Sequence, residues 1–288
     1  MANVRKIAKL LKSRPVIEGA GVHLQRAFGY DEVPLFDPFL LLDDFRSDRN
    51  PERYLNGFPW HPHRGIETIT YMLEGTVEHG DSMGNSGAIG PGDVQWMTAG
   101  SGIIHQEMPK GDSEGRMGGF QLWSNLPASH KMMEPRYRNI TTGEIPKITL
   151  SEGVEIRVIC GRIGGTEGPV RDIVTDPEYL DITVPAGARY VHPTAREYTV
   201  FTYIIEGSGN FSTGTKSPGD ILGNHTLVLF TDGDSLAAAA MSDFRFLLIS
   251  GKPIGEPVAW YGPIVMNTDE ELKIAFQEYE NGTFIKRK

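Results

Sequence analysis

The chain has 288 residues, 39% of them hydrophobic, enough for two domains that each bury a sizeable core. Its 37 acidic residues outweigh 28 basic ones for a net charge of -9, and no Lys/Arg run offers a local exception, so phosphate backbones and anionic membranes are repelled and direct nucleic-acid binding is not expected. The single cysteine, Cys160, cannot form an internal disulfide, which together with the lack of a signal-peptide pattern fits a reducing cytoplasm, and no apolar run nears the ~20 residues that a membrane-spanning helix needs.

Along the chain the pattern is β almost throughout. The stretch WHPHRGIE, residues 60–67, sets two histidines two positions apart and a glutamate four further on. Residues two apart in a strand share a face, so His61, His63 and Glu67 point the same way if one strand runs through them. ETITYML and DVQWMTA follow as short strands rich in β-branched and aromatic residues, with Trp60, Trp96 and Met97 read as core or barrel wall. GIIHQEMP then puts His105 and Glu107 on one face by the same rule. Imidazoles and a carboxylate converging from two strands make a ligand set suited to Fe, Mn, Ni, Cu or Zn. His79 lies in the hairpin region between the two motifs, near the barrel mouth.

A polar, Pro-containing stretch at 138–147 reads as a linker. Beyond it EIRVICG, YTVFTYII and TLVLFT continue the β pattern, with Cys160 as a buried structural thiol, and 34 glycines and 19 prolines supply the turns. An internal repeat organises the whole. YMLEG at 71–75 recurs as YIIEG at 203–207, PGD at 91–93 recurs at 218–220, and TAGSGI from Thr98 is echoed by TDGDSL from Thr231. Counting from these blocks sets Pro193, Ala195, Ala238 and Ala240 against His61, His63, His105 and Glu107, with His192 one residue out of place, so the second copy is expected to bind no metal. One helix closes the pattern: TDEELKIAFQEYENG opens on a Thr268/Glu271 capping box, carries Leu272, Ala275, Phe276 and Tyr279 along one face, and stops at Asn-Gly. Its apolar face is expected to be buried, with the helix reaching back to the first domain.

GFPWHPHRGIETITYMLEG resembles the first motif of a cupin, and with HGDSMGNSGAIGPGDVQWMTAGSGIIHQEMP and FDPFLLLDDF the first half is similar to the pirin family. The resemblance implies an all-β bicupin fold: two antiparallel jelly-roll barrels with a C-terminal α-helix, an N-terminal metal-binding cupin over 1–140 and a degenerate C-terminal cupin over 141–288. It places one divalent transition metal, iron first among Mn, Ni, Cu and Zn, on His61, His63, His105 and Glu107. The ordinary cupin pattern would use Glu67 in place of Glu107. Glu67 is then read as an acceptor that orients a histidine, and Glu107 as ligand and catalytic base. The implied activity is of the quercetin 2,3-dioxygenase type, with a flavonol and dioxygen as substrates. The alternative is a metal-dependent regulatory protein that binds a transcription factor or a metabolic enzyme.

Overall fold

The computed structural model describes residues 3–46, 50–211 and 221–286. Two compact units emerge, each built from two pieces of chain: Arg14–Thr142 joins Ile254–Lys288, and Met1–Ser13 joins Gly143–Pro253. The chain crosses from one unit to the other between Thr142 and Gly143, and each terminal segment belongs to the unit formed mainly by the other half of the chain. Strand Ile7–Lys12 pairs with Thr226–Phe230 in the later unit, and the terminal helix Asp269–Glu280 belongs to the earlier one.

Among the described residues each unit is built on a pair of antiparallel sheets of seven and four strands and also holds a two-stranded sheet. In the unit that carries the His motifs, the four-stranded sheet runs Phe58–His63, Ile103–Lys110, Thr76–Asp81, Ser86–Ile89. Opposite it the seven-stranded sheet has Ile66–Glu74 near its centre, flanked by Val94–Thr98 and Gly118–Asn125. In the other unit the four-stranded sheet repeats the order with Arg189–Pro193, Ser235–Ala240, Ser208–Asn210 and Leu222–Gly223. This is the jelly-roll duplication that the repeated sequence blocks imply; the PGD block at 218–220 lies outside the described residues.

The two interiors differ. The later unit is filled by an apolar cluster in which Phe211, Phe230, Phe244 and Phe246 meet edge-on or tilted at centroid distances of 5.1–5.5 Å among Val, Ile and Leu side chains. Cys160 is buried there, its thiol near the carbonyls of Val170 and Pro177, a structural position as its apolar setting suggests. The terminal helix has the expected capping box, with the Thr268 side chain accepting from the Glu271 amide. It buries Leu272 and Ala275, but Tyr279 is 39% exposed and Phe276 only half-buried, so the buried face is narrower than its sequence pattern. Burying Leu272 contributes roughly 1.5–3 kcal/mol. No helix among the described residues is long and apolar enough to cross a membrane.

Candidate metal centre

Strand Phe58–His63 is the edge of its sheet, which is where Pro59 and Pro62 can sit without costing ladder hydrogen bonds. Its inner neighbour Ile103–Lys110 alternates buried and part-buried side chains along nearly its whole length, so His105 and Glu107 share the inward face. The ladder sets His105 directly opposite His61 and Ile103 opposite His63, with an irregularity before Glu107 pairs with Phe58. Trp60, the strand neighbour of inward-facing His61, takes the opposite face, where it is 53% exposed and not in the core; Trp96 and Met97 are fully buried.

The three imidazoles converge. Ring centroids lie 4.4 Å apart for His61 and His105, 4.8 Å for His61 and His63, and 5.0 Å for His63 and His105. One nitrogen from each falls within 4.8 Å of the others. The hydrogen bonds decide what those nitrogens are. Nδ1 of His61 faces the Pro59 carbonyl at 2.8 Å and Nδ1 of His63 faces the Pro263 carbonyl at 2.9 Å. A carbonyl only accepts, so both Nδ1 atoms carry the hydrogen and the neutral rings turn bare Nε2 lone pairs toward each other, 3.0 Å apart. His105 Nε2 is buried with no hydrogen-bond partner.

Lone pairs facing at that distance repel unless a cation lies among them. A shared proton is disfavoured, because burial pushes all three imidazolium pKa values down, for His63 and His105 well below the usual range, and the neighbouring histidines push those two further. A divalent metal is the cation that this donor set fits, with the carbonyls of Pro59 and Pro263 fixing ring orientation.

Glu107 lies one inward step beyond His105 and is buried, but its carboxylate is not part of the converging trio. Thr70 donates to its Oε1 at 3.2 Å, and burial raises its pKa to about 7. Glu67 is elsewhere. The strand ends at His63, Gly65 turns the chain at φ 80°, and Ile66–Glu74 enters the opposite sheet, where Glu67 accepts from the Thr98 hydroxyl at 2.6 Å. It orients no histidine, and the expectation of a shared face with His61 and His63 fails because the strand does not continue. His79 is buried beside Glu107 and bonded to the Tyr137 hydroxyl. Thr70, Tyr137 and the Pro263 carbonyl carried no sequence signal of their own.

The site opens onto a cavity of about 630 Å³ with mostly apolar walls, lined by His61, His63, Glu107, Thr70, Gln121, Trp123, Tyr30 and Trp260. Trp123 stands edge-on to His63 at 5.0 Å, and Trp260 bridges Trp123 and Tyr30 at 5.8 and 5.6 Å.

Residues 21–124 match the Pirin family model and residues 179–285 that of the pirin C-terminal cupin domain. A pirin-like protein from Caulobacter vibrioides is 45% identical over 282 residues, covering 98% of this chain and 99% of its own. The chain belongs to the pirin family. A solved quercetin 2,3-dioxygenase from Acinetobacter baumannii is similar to this pirin at a TM-score of 0.87 and 30% identity, with 98% of each chain covered. A bacterial pirin from Escherichia coli in complex with nickel(II) shares the fold at a TM-score of 0.63 and 24% identity, over 85% of this chain and 98% of that one.

The second barrel of this pirin corrects one sequence correspondence. With Ala238 set against His105, the cross-strand register puts Tyr190 in the place of His61 and His192, opposite Leu236, in the place of His63. One of the four positions is therefore kept as histidine, not none. Both of its nitrogens are occupied, Nδ1 by the Tyr190 hydroxyl at 2.9 Å and Nε2 by Glu178 at 2.7 Å. Elemental analysis of the metal-loaded protein should find about one transition metal per chain, the number that one open imidazole cluster can hold. A content near two would mean that the second barrel still binds.

Proposed function

We propose that this pirin is a metal-dependent dioxygenase that cleaves flavonols such as quercetin, with one transition metal, iron first, held by His61, His63, His105 and Glu107. The observation that carries this reading is the cavity of about 630 Å³ lined by His61, His63 and Glu107, a volume inside the ~300–1,000 Å³ range of small-molecule sites. The metal would supply Lewis-acid polarisation of the substrate's hydroxyl and carbonyl oxygens and a path for electrons to dioxygen.

The chain's own residues do the rest. Tyr30, Trp123 and Trp260 offer flat apolar faces that match a planar polycyclic ligand and keep water from the reacting ring. Glu107, buried and lining the cavity beside His61 and His63, is the carboxylate placed to take the flavonol's 3-hydroxyl proton. Thr70, donating to Glu107, holds that carboxylate toward the cavity. The similarity to the Acinetobacter enzyme over nearly the whole chain points the same way. A regulatory protein whose metal only shapes a surface has no need of a chamber beside the metal, so the cavity favours catalysis over binding of a transcription factor or enzyme.

Oxygen uptake is the test. The metal-loaded protein should consume dioxygen with a flavonol bearing the 3-hydroxyl next to the 4-carbonyl, and should be inert toward the flavone that lacks this hydroxyl. Equal rates with both would exclude chelation as the basis of turnover, and no uptake with any flavonol would leave the regulatory reading in its place.

A further inference from the structure

The motif HPHRG does two things, and the metal accounts for only the first. Its last three residues are each tied to the segment 254–286. His63 donates from Nδ1 to the Pro263 carbonyl at 2.9 Å. Arg64 is 2% exposed, and its guanidinium donates to the carbonyls of Ser101 at 2.7 Å and Phe284 at 3.0 Å, pairs with Glu278 at 2.7 Å, and lies 4.2 Å over the Phe284 ring. The Arg64 carbonyl accepts from the Val265 amide at 3.1 Å, so the later segment lies parallel along the free edge of the metal-bearing strand. At Gly65, φ is 80° and a Cβ would stand 1.9 Å from the Val265 carbonyl oxygen. Only glycine lets that backbone in. Lys131 closes the join from below, donating to the carbonyls of Gly65 at 2.9 Å and Val265 at 3.1 Å.

An arginine buried this completely is expensive to desolvate and is retained where its partners must be held in one place. Here its partners lie on the turn that leads into Ile103–Lys110, the strand that carries His105, or on the later segment, and the ring that shares the junction is a proposed metal ligand. We propose that the segment 254–286 is a positioning element of the metal centre, received by Arg64 and Gly65, so that metal binding and docking of this segment strengthen each other. This rests on the reading of His61, His63 and His105 as the metal site. An imidazole held by its second nitrogen is already turned toward the metal, and losing such a partner typically weakens binding by about 10–100-fold. Linkage makes the effect reciprocal: whatever docking adds to metal affinity, metal adds to docking.

The experiment measures both directions with nickel(II) alone. In the wild type, amide exchange at Val265 and in the helix Asp269–Glu280 should slow by about tenfold or more on saturation with nickel, since docking then opens less often. Glu278→Gln, which removes the partner charge from a helix position remote from the ligands, and Gly65→Ala, which pushes the Val265 backbone away, should each weaken nickel binding by about tenfold or more. Contacts that serve stability alone would lower the melting temperature of these variants but leave exchange at Val265 indifferent to nickel. Such indifference in the wild type overturns the coupling even if a variant fails to fold, and so does unchanged nickel affinity in both folded variants. If the wild type itself takes up no nickel, or takes it up equally after His61→Ala, the metal-site reading falls first and the coupling falls with it.

Discussion

Replacing His63 by alanine should weaken nickel(II) binding by about a hundredfold or more, and His105→Ala should do the same. A structural four-ligand zinc site is worth about 10–16 kcal/mol, or roughly 3 kcal/mol per ligand, and every 1.4 kcal/mol is a factor of ten. The environment makes full recovery by water difficult, because His63 is 2% exposed and Trp123 stands edge-on to it at 5.0 Å. His63→Ala combined with His105→Ala should cost little more than either alone in retained metal, since the ligands act as a unit. The control is His192→Ala in the second barrel. It removes the histidine that occupies the place of His63 there, yet both of its nitrogens serve Tyr190 and Glu178, so metal content should not change. Equilibrium dialysis followed by elemental analysis decides the matter. Full metal retention in His63→Ala, or loss of half the metal in His192→Ala, would move the site.

In metal-free protein, Glu107→Gln should gain about 3 kcal/mol of stability relative to the wild type between pH 4.5 and pH 8. Burial holds the folded-state pKa of Glu107 at about 7, against 4.5 for the ordinary group. Below pH 4.5 the carboxyl is protonated in folded and unfolded chains alike and contributes no difference. From there to about pH 7 the unfolded chain releases its proton while the folded chain keeps it, so wild-type stability falls with rising pH. Above the folded pKa both forms are ionised and the penalty stays constant, near 3 kcal/mol. Glutamine cannot titrate, so comparing the two proteins isolates Glu107 from the buried histidines, whose depressed pKa values act in the opposite sense. Urea unfolding at the two pH values gives the difference directly, and parallel behaviour of the two proteins would refute the assignment. Nickel tests the ligand role in the same assay. A cation bound by the carboxylate favours its ionised form, so saturation should cancel the wild-type penalty.

Much of the centre was legible because period-two alternation is a local rule. It puts His61 with His63, and His105 with Glu107, without knowledge of anything distant. The rule stopped at Gly65: counting on to Glu67 assumes one strand, whereas a residue at φ 80° ends it and the next strand joins the other sheet. The repeat blocks revealed the duplicated barrels, but counting from them without gaps misplaced His192, since strand register is fixed by pairing across the sheet and not by distance along the chain. The capping box located the helix, yet the helical pattern overstated its buried face, because Tyr279 needs a neighbour that the fold does not bring close enough to cover it. What turns the His63 ring was out of reach of any local reading. The Pro263 carbonyl arrives from two hundred residues away, and proline declares nothing about where its oxygen will point.

The exchanged ends of the chain bear on synthesis. A ribosome that has just delivered residue 142 has made all but the closing piece of the first barrel, and the strand edge beside His63 then waits for residues 254–286. At about 5–20 residues per second that wait lasts roughly 7–30 s. During it the second barrel, which borrows its edge strand Ile7–Lys12 from the start of the chain, can already close. The barrel encoded first is thus completed last, and a nascent chain meets the cell's metal pool with His63 still without the Pro263 carbonyl that orients it.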